Sequence, residues 1–318
     1  MIKEIKEILK LSKIHIRKMS QADLVPLYQL YLAQEKQVPY QPKTRSAQFV
    51  TDLRISRMYP DVRHYEPKAE IAVVAEVGGK VVAYADGCKV NEAKGLVKDD
   101  QAFIRMVIGS REHADAVKKV IRRVTQHLLK FNPDVLQAFS SHIAPVFLGF
   151  AGGKLHAEWA WLGQCLVDEG YVADSFGIRM YRPLTGRGNA PQPLPIPDGI
   201  EIEFKNRFAS NGLEYLNRKY VLRHLIPDIA LCENYYSGAF VKGSGFQLLF
   251  TLWVVSMSGH QRKGYARWFI RHALCTAHEV GAKGAMLMTA VDNFRSQSLY
   301  LSEGYKTIEN VCSFTYSG

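Results

Sequence analysis

The chain has 318 residues, 47% of them apolar, and a formal net charge of +11, a length at which one hydrophobic core usually gives way to two domains. No run approaches the ~18 apolar residues of a membrane span, and the first residues carry acidic side chains without a cleavage-site pattern, so no signal peptide and a cytoplasmic protein are expected. Five cysteines, Cys88, Cys165, Cys232, Cys275 and Cys312, lie far apart with no Cys-x-x-Cys pair, which argues for reduced thiols and against both a disulfide framework and a zinc site.

In chain order, residues 15–19 read as a short strand, and Ser20 with Asp23 resembles a cap opening a helix over 22–35, where Leu24, Leu27, Leu30 and Leu32 recur near helical period. Within residues 70–90 two apolar runs, Ile71-Ala-Val-Val-Ala-Glu-Val and Val81-Val-Ala-Tyr-Ala, flank Gly78-Gly79, the pattern of a hairpin with a two-glycine turn. A strand over 103–108, an amphipathic helix over 112–130, a strand over 135–139, a helix over 154–169 stopped by Gly170 and a strand over 177–181 follow. Five prolines and two glycines between Pro183 and Asp198 forbid a regular element and mark a linker. It divides the chain into domains of 1–183 and 199–318, with 184–198 between them.

The second half repeats the end of the first. Residues 246–256 form a strand apolar on both faces, as an interior strand is. A helix over 264–280 ends at Gly281, and then come a strand over 285–291, a helix over 293–303 capped by Asp292 or Asn293 and stopped by Gly304, and a strand over 311–316. Two copies of one α/β unit are therefore expected.

Between the strand and helix of this second copy lies Ser258-Gly-His-Gln-Arg-Lys-Gly-Tyr-Ala266. Backbone N–H groups at a helix start lack intrahelical partners, so such a loop is an anion site. Gly264 permits close approach of a phosphate, Ala266 is nearly as small, and Arg262 and Lys263 add positive charge. Further on, Asn293, Ser296 and Tyr300 fall on one helix face, ahead of Gly304-Tyr305.

Gln261-x-x-Gly264-x-Ala266 after a strand, followed by Asn293-x-x-Ser296-x-x-Leu299-Tyr300, resembles the two signatures of the GNAT N-acetyltransferase superfamily. The resemblance implies an α/β (α+β) fold of two GNAT-like domains in tandem, each a mixed, mostly antiparallel central sheet flanked by helices. It also implies acetyl-CoA as co-substrate, with no metal. Its pyrophosphate would lie on Gln261, Arg262, Lys263, Gly264, Tyr265 and Ala266. Its pantetheine would pair with the backbone of Val254, Val255 and Ser256, flanked by Asn293 and Ser296. Tyr300 would be the catalytic general acid and an unidentified primary amine, of a small molecule or peptide, the acceptor. The two-unit layout resembles that of mycothiol synthase, without an acceptor motif that carries its substrate over.

Several departures accompany this. The strand over 246–256 contains no Asp, Glu or His to act as general base, which leaves Glu233, His224 and His260 as candidates by proximity in sequence. Residues 200–245 are few for the strand, two helices and hairpin that the repeat requires, so some elements are expected to be missing or borrowed. In the first half the loop becomes Arg111-Glu-His-Ala-Asp-Ala116, with Ala114 at the position of Gly264 and acidic residues beside the phosphates; Trp159 and Leu166 stand opposite Asn293 and Tyr300. A non-catalytic first unit is expected. The missing strand carboxylate supports an alternative for the whole chain, a non-catalytic acyl-CoA-binding sensor or interaction module. A monomer or homodimer is expected, with no membrane partner. Residues 1–190 carry +8 of the charge and 191–318 carry +3, yet the basic helix at Lys118–Arg123 has an apolar face and reads as a solvated amphipathic helix rather than a nucleic-acid surface. Near Lys154, Leu155 replaces the Ser/Thr of a P-loop.

Overall fold

Both glycines of the Gly78-Gly79 turn have positive φ, 57° and 76°, as the tight hairpin requires, and they join β2 (Glu66–Val77) to β3 (Lys80–Asn91) in the computed structural model of the chain. The structure describes residues 13–40, 43–54, 66–91, 100–140, 153–186, 188–196, 200–208, 214–224, 229–240, 247–279 and 281–318. Most of the P-loop-like stretch before Lys154 lies outside this set. Contacts divide the chain into two compact units, one made of Met1–Phe176 and Asn310–Gly318, the other of Gly177–Glu309.

In the first unit β1 (His15–Lys18) pairs with β2, β2 with β3 and β3 with β4 (Gln101–Gly109), all antiparallel, while β4 and β5 (Val135–Ala138) are parallel. The chain's last residues close this sheet, with Phe314 opposite Ala138 and Val311 opposite His156. Ser20 opens the first helical segment as expected, its backbone N–H donating to Asp23 at 2.7 Å; a single 3-10 turn precedes α1 (Leu24–Glu35). A second helix, α2 (Ser46–Arg54), lies between α1 and β2. The amphipathic helix is α3 (Ala114–Leu129), and Val117, Val120, Ile121, Val124 and Leu128 are fully buried against the sheet. Two of its basic residues are paired locally: Lys118 meets Asp115 at 3.1 Å, and Arg122 meets Glu169 at 2.8 Å. The helix expected over 154–169 begins late, because Leu155–His156 is a short strand, β6, before α4 (Ala160–Asp168). Lys154 is buried and donates to Ser175 Oγ at 2.7 Å, which removes it from any phosphate.

The second unit takes the end of β7 (Tyr171–Pro183), whose Gly177–Pro183 stretch pairs antiparallel with β12 (Gly284–Ala290). Its sheet runs β7-β12-β11-β10-β9-β8, with β8 (Ile200–Phe208), β9 (Glu214–His224), β10 (Ile229–Phe240) and β11 (Gln247–Ser256). Among these, β11 and β12 are the parallel pair. Three strands, as many as a strand and a hairpin supply, occupy the stretch expected to be too short for two helices as well, and no helix occurs there among the described residues. Helix α5 (Tyr265–Glu279) buries Phe269, Ile270, Ala273, Leu274 and Ala277, and α6 (Phe294–Ser302) adds Tyr300 to the same core. Strand β13 (Lys306–Tyr316) starts earlier than its apolar residues indicated.

The described residues of 184–196 contain no regular element, as the prolines dictate, but they are strapped to α5. Trp268 Nε1 donates to the carbonyls of Leu194 (3.2 Å) and Pro195 (2.9 Å), Arg271 Nη1 to Gln192 O (3.2 Å) and Cys275 Sγ to Pro191 O (3.7 Å). The donors are spaced i, i+3, i+7, one face of the helix.

Candidate functional site

The parallel ladder between β11 and β12 runs from Leu248 opposite Gly284 to Thr251 opposite Leu287 and stops there, although both strands continue, to Ser256 and Ala290. A β-bulge explains the parting. Thr251 faces Tyr236 and Trp253 faces Tyr235, leaving Leu252 as the extra residue, and such an insertion bends the bulged strand away from its neighbour. Past the bulge, Val254, Val255 and Ser256 still pair with Asn234, Glu233 and Cys232 of β10. Their other edge no longer pairs with β12. A strand edge of this kind offers backbone donors and acceptors to an extended, amide-containing ligand.

The splayed strand leads into the Gln261–Ala266 turn. Gly259, Arg262 and Gly264 have φ of 77°, 62° and 84°, so the turn depends on left-handed residues, and Gly264 supplies one without a Cβ penalty. An ideal Cβ at Gly264 would meet no heavy atom within 4 Å. The glycine thus keeps an open approach rather than relieving a clash. Gly264 O accepts from Trp268 N at 2.9 Å, which starts α5. Gln261, Arg262 and Lys263 are exposed, while Tyr265 and Ala266 are half-buried. The N–H groups of the first helical turn have no helical partner, so an exposed basic turn and a helix start converge on one spot.

At the exit of β12, Asn293 caps α6, its Oδ1 accepting from Ser296 N at 3.2 Å. Burial increases along the face that these residues share, from exposed Asn293 through half-buried Ser296 to Tyr300, 8% exposed. The Tyr300 ring packs edge-on against Tyr305, with centroids 5.9 Å apart. Burial pushes the Tyr300 phenol up to about 12, so it holds its proton at neutral pH, as a general acid must. Arg295 Nη1 donates to Gln261 Oε1 at 3.3 Å and ties the two signatures together. Glu303, just past α6, receives Arg271 Nε at 2.5 Å and Arg267 Nε at 3.3 Å. Neither link was foreseen, because charged residues on an amphipathic helix read as its solvated face. Of the candidate bases, Glu233 stands opposite Val255 in the ladder and His224 opposite Ile229; His260 is half-buried in the turn.

The first unit repeats the backbone without the turn. Its parallel ladder ends at Ile104 opposite Ala138, and the next residue, Arg105, is the bulge between the pairs Asp86–Met106 and Gly87–Ile104. Arg105 is buried, with Asp86 at 2.6 Å and Glu70 at 3.3 Å. Ala114, at the position of Gly264, has φ −53°, and a 3-10 turn over Arg111–His113 runs straight into α3. Trp159 and Leu166, at the positions of Asn293 and Tyr300, are buried core residues.

No family model matches the sequence, and no curated protein aligns significantly with it. Solved structures do match. A tandem GNAT protein from the clavulanic acid biosynthesis pathway, solved without acetyl-CoA, superposes with a TM-score of 0.68 at 12% identity over 95% of this chain and 98% of its own. A GCN5-related N-acetyltransferase from Sphaerobacter thermophilus gives 0.62 at 12% identity over 96% of each chain. The glucosamine N-acetyltransferase region of a fungal multi-domain β-N-acetylglucosaminidase gives 0.64 at 11% identity, covering 96% of this chain and 38% of that one. By these superpositions the chain has the fold of the GCN5-related N-acetyltransferases, in a tandem arrangement of two units.

Proposed function

We propose that the second unit is an acetyl-CoA-dependent N-acetyltransferase acting on a primary amine of a small molecule or peptide, within a tandem of GNAT-like repeats over 1–183 and 199–318. The reading rests on one observation: the left-handed turn at Gly264 lies at the end of the splayed β11, and a buried, protonated Tyr300 sits on the next helix of the unit. The donor's pyrophosphate lies on the N–H groups and cations of Gln261–Ala266. Its pantetheine pairs with the strand edge at Val254–Ser256, beyond the end of the β12 ladder, where a backbone N–H polarises the thioester carbonyl. The amine attacks that carbon, the C–N bond forms, the C–S bond breaks and the Tyr300 phenol delivers its proton to the departing thiolate. The amine's proton leaves to a base, for which Glu233 is the candidate, by its register opposite Val255. The first unit, with Ala114 and Leu166 in place of Gly264 and Tyr300, serves as a non-catalytic partner.

Tyr300→Phe keeps the ring contact with Tyr305 and removes the acid. The expected outcome is a fall in kcat of about a hundredfold or more with the acetyl-CoA Kd unchanged, measured by coenzyme A release over a panel of amines and by calorimetry. Equal loss of turnover and affinity refutes the acid role. Tight acetyl-CoA binding with no coenzyme A release on any amine refutes catalysis and favours a sensor.

A further inference from the structure

The first unit contains a cleft of about 330 Å³ that the proposed reaction does not use, lined by Gln34 of α1, by Gly109, Ser110 and Arg111 at the end of β4, and by Glu158 and Trp161 around the start of α4. Gln34 is 2% exposed and held at two points. Its Oε1 accepts from Gly109 N at 3.3 Å, and its backbone carbonyl accepts from Trp159 Nε1 at 3.0 Å. The first bond fixes which way the amide faces, since an N–H must meet the oxygen. Nε2 is then a buried donor with no partner among the described residues. A buried amide group left unpaired costs roughly 1–3 kcal/mol, a cost removed by a ligand that brings an acceptor.

The surroundings specify that ligand. The Arg111 guanidinium joins Gln34 Nε2 among the lining donors, Glu158 is the acidic group of the lining, and Trp161 adds apolar surface, while the Ser110 hydroxyl already donates to Glu112 Oε1 at 3.5 Å. An acyl-CoA is a poor match. Gly109 N, which an amide-containing ligand would use, is already bonded to Gln34. The turn has no left-handed residue, and Glu112 and Asp115 stand in its first turns, where they repel a pyrophosphate.

We propose that this cleft binds a small aminocarboxylate, its carboxylate meeting Gln34 Nε2 and Arg111 and its ammonium meeting Glu158. The test is calorimetry on the full chain with glycine, β-alanine and 4-aminobutyrate as probes, and with butyrate and butylamine as analogues that each lack one charge. Saturable binding of at least one probe is expected, weakened about tenfold for the matching analogue, the effect of one lost charged contact. Gln34→Glu retains an acceptor for Gly109 N and replaces the orphan donor by a carboxylate oxygen, so it weakens the same probe about tenfold or more, with a lower melting temperature because the carboxylate is buried. Should that variant unfold, Arg111→Ala, at an exposed position, gives the same readout. No saturable binding of any probe, undiminished binding in a folded Gln34→Glu or Arg111→Ala, or displacement of the probe by acetyl-CoA overturns the proposal.

Discussion

Gly264→Ala separates what the turn does for the fold from what it does for the donor. At φ 84° an alanine adopts the left-handed region, at about 1–2 kcal/mol for an L-residue. The new Cβ meets no protein atom within 4 Å, so nothing is added for a clash, and the stiffer unfolded chain returns ~0.4–1 kcal/mol. The net loss is about 1 kcal/mol, a fall of about 2–4 °C in melting temperature for a unit of this size. Gly259 supplies the control. It has φ 77° and equally open surroundings, and it lies outside the Gln261–Ala266 motif. Gly259→Ala should cost the same stability. Only Gly264→Ala places a methyl where a phosphate would approach the backbone, and it should weaken acetyl-CoA about tenfold or more by calorimetry. If both variants weaken the donor alike, or neither does, the pyrophosphate does not sit on this turn.

Three further outcomes are expected of the second unit. Glu303 is 1% exposed in its side chain and meets two arginines, of which Arg271 is 22% exposed; Glu303→Gln should cost about 2–3 kcal/mol in chemical denaturation, less than the full penalty of a broken buried pair because the arginines reach water. Arg179 is fully buried and paired with Glu309, and burial lowers its guanidinium to about 10; Glu309→Leu alone should cost about 3–5 kcal/mol, whereas Arg179→Leu with Glu309→Leu should recover most of it, and a double variant as unstable as the single one would contradict this. The Tyr300 phenol, raised by burial, favours the protonated folded state. Its contribution to stability is therefore complete below its unfolded value near 10 and is lost as pH rises through about 12. The rate should show no alkaline limb from Tyr300 below that range, and Tyr300→Phe should flatten part of the loss of stability there.

The elements legible in the sequence were those whose burial is written in period or in turn residues. The hairpin at Gly78-Gly79 and the helices α3 and α5 keep their expected positions because one face of each is continuously apolar. Where structure depends on a distant partner, the local pattern misleads. Leu155-His156 reads as the start of a helix and becomes strand because Val311 and Cys312 lie alongside. Lys306 to Asn310 are polar enough to read as loop, yet they begin β13. Two features of the candidate site were legible for a different reason: Gly264 and the Asn293 cap are local conformational devices, and a positive φ or a helix N-terminus leaves its mark on residue choice. The ties between them, Arg295 to Gln261 and Glu303 to the arginines of α5, span helices that sequence spacing does not bring together.

The two bulges distinguish the parts of a repeat that persist from those that do not. Each comes after the last parallel pair, past Ile104 in one unit and past Thr251 in the other, and each bends the central strand at the same point of the ladder. The residues inserted are Arg105 and Leu252, a buried ion-paired cation and an aliphatic side chain, so no comparison of side chains would align them. The shared feature is one extra backbone unit, which parts two strands whatever its side chain. The connection from bulged strand to helix does depend on side chains. A left-handed turn needs Gly264, and Ala114 at the same place continues into a helix. Gln34 then occupies the N–H that the parted strand of the first unit leaves at Gly109. The bulged strand is thus common to both units while the turn after it is not, and the Gln34 amide that meets Gly109 in the first unit leaves its own Nε2 unpaired among the described residues.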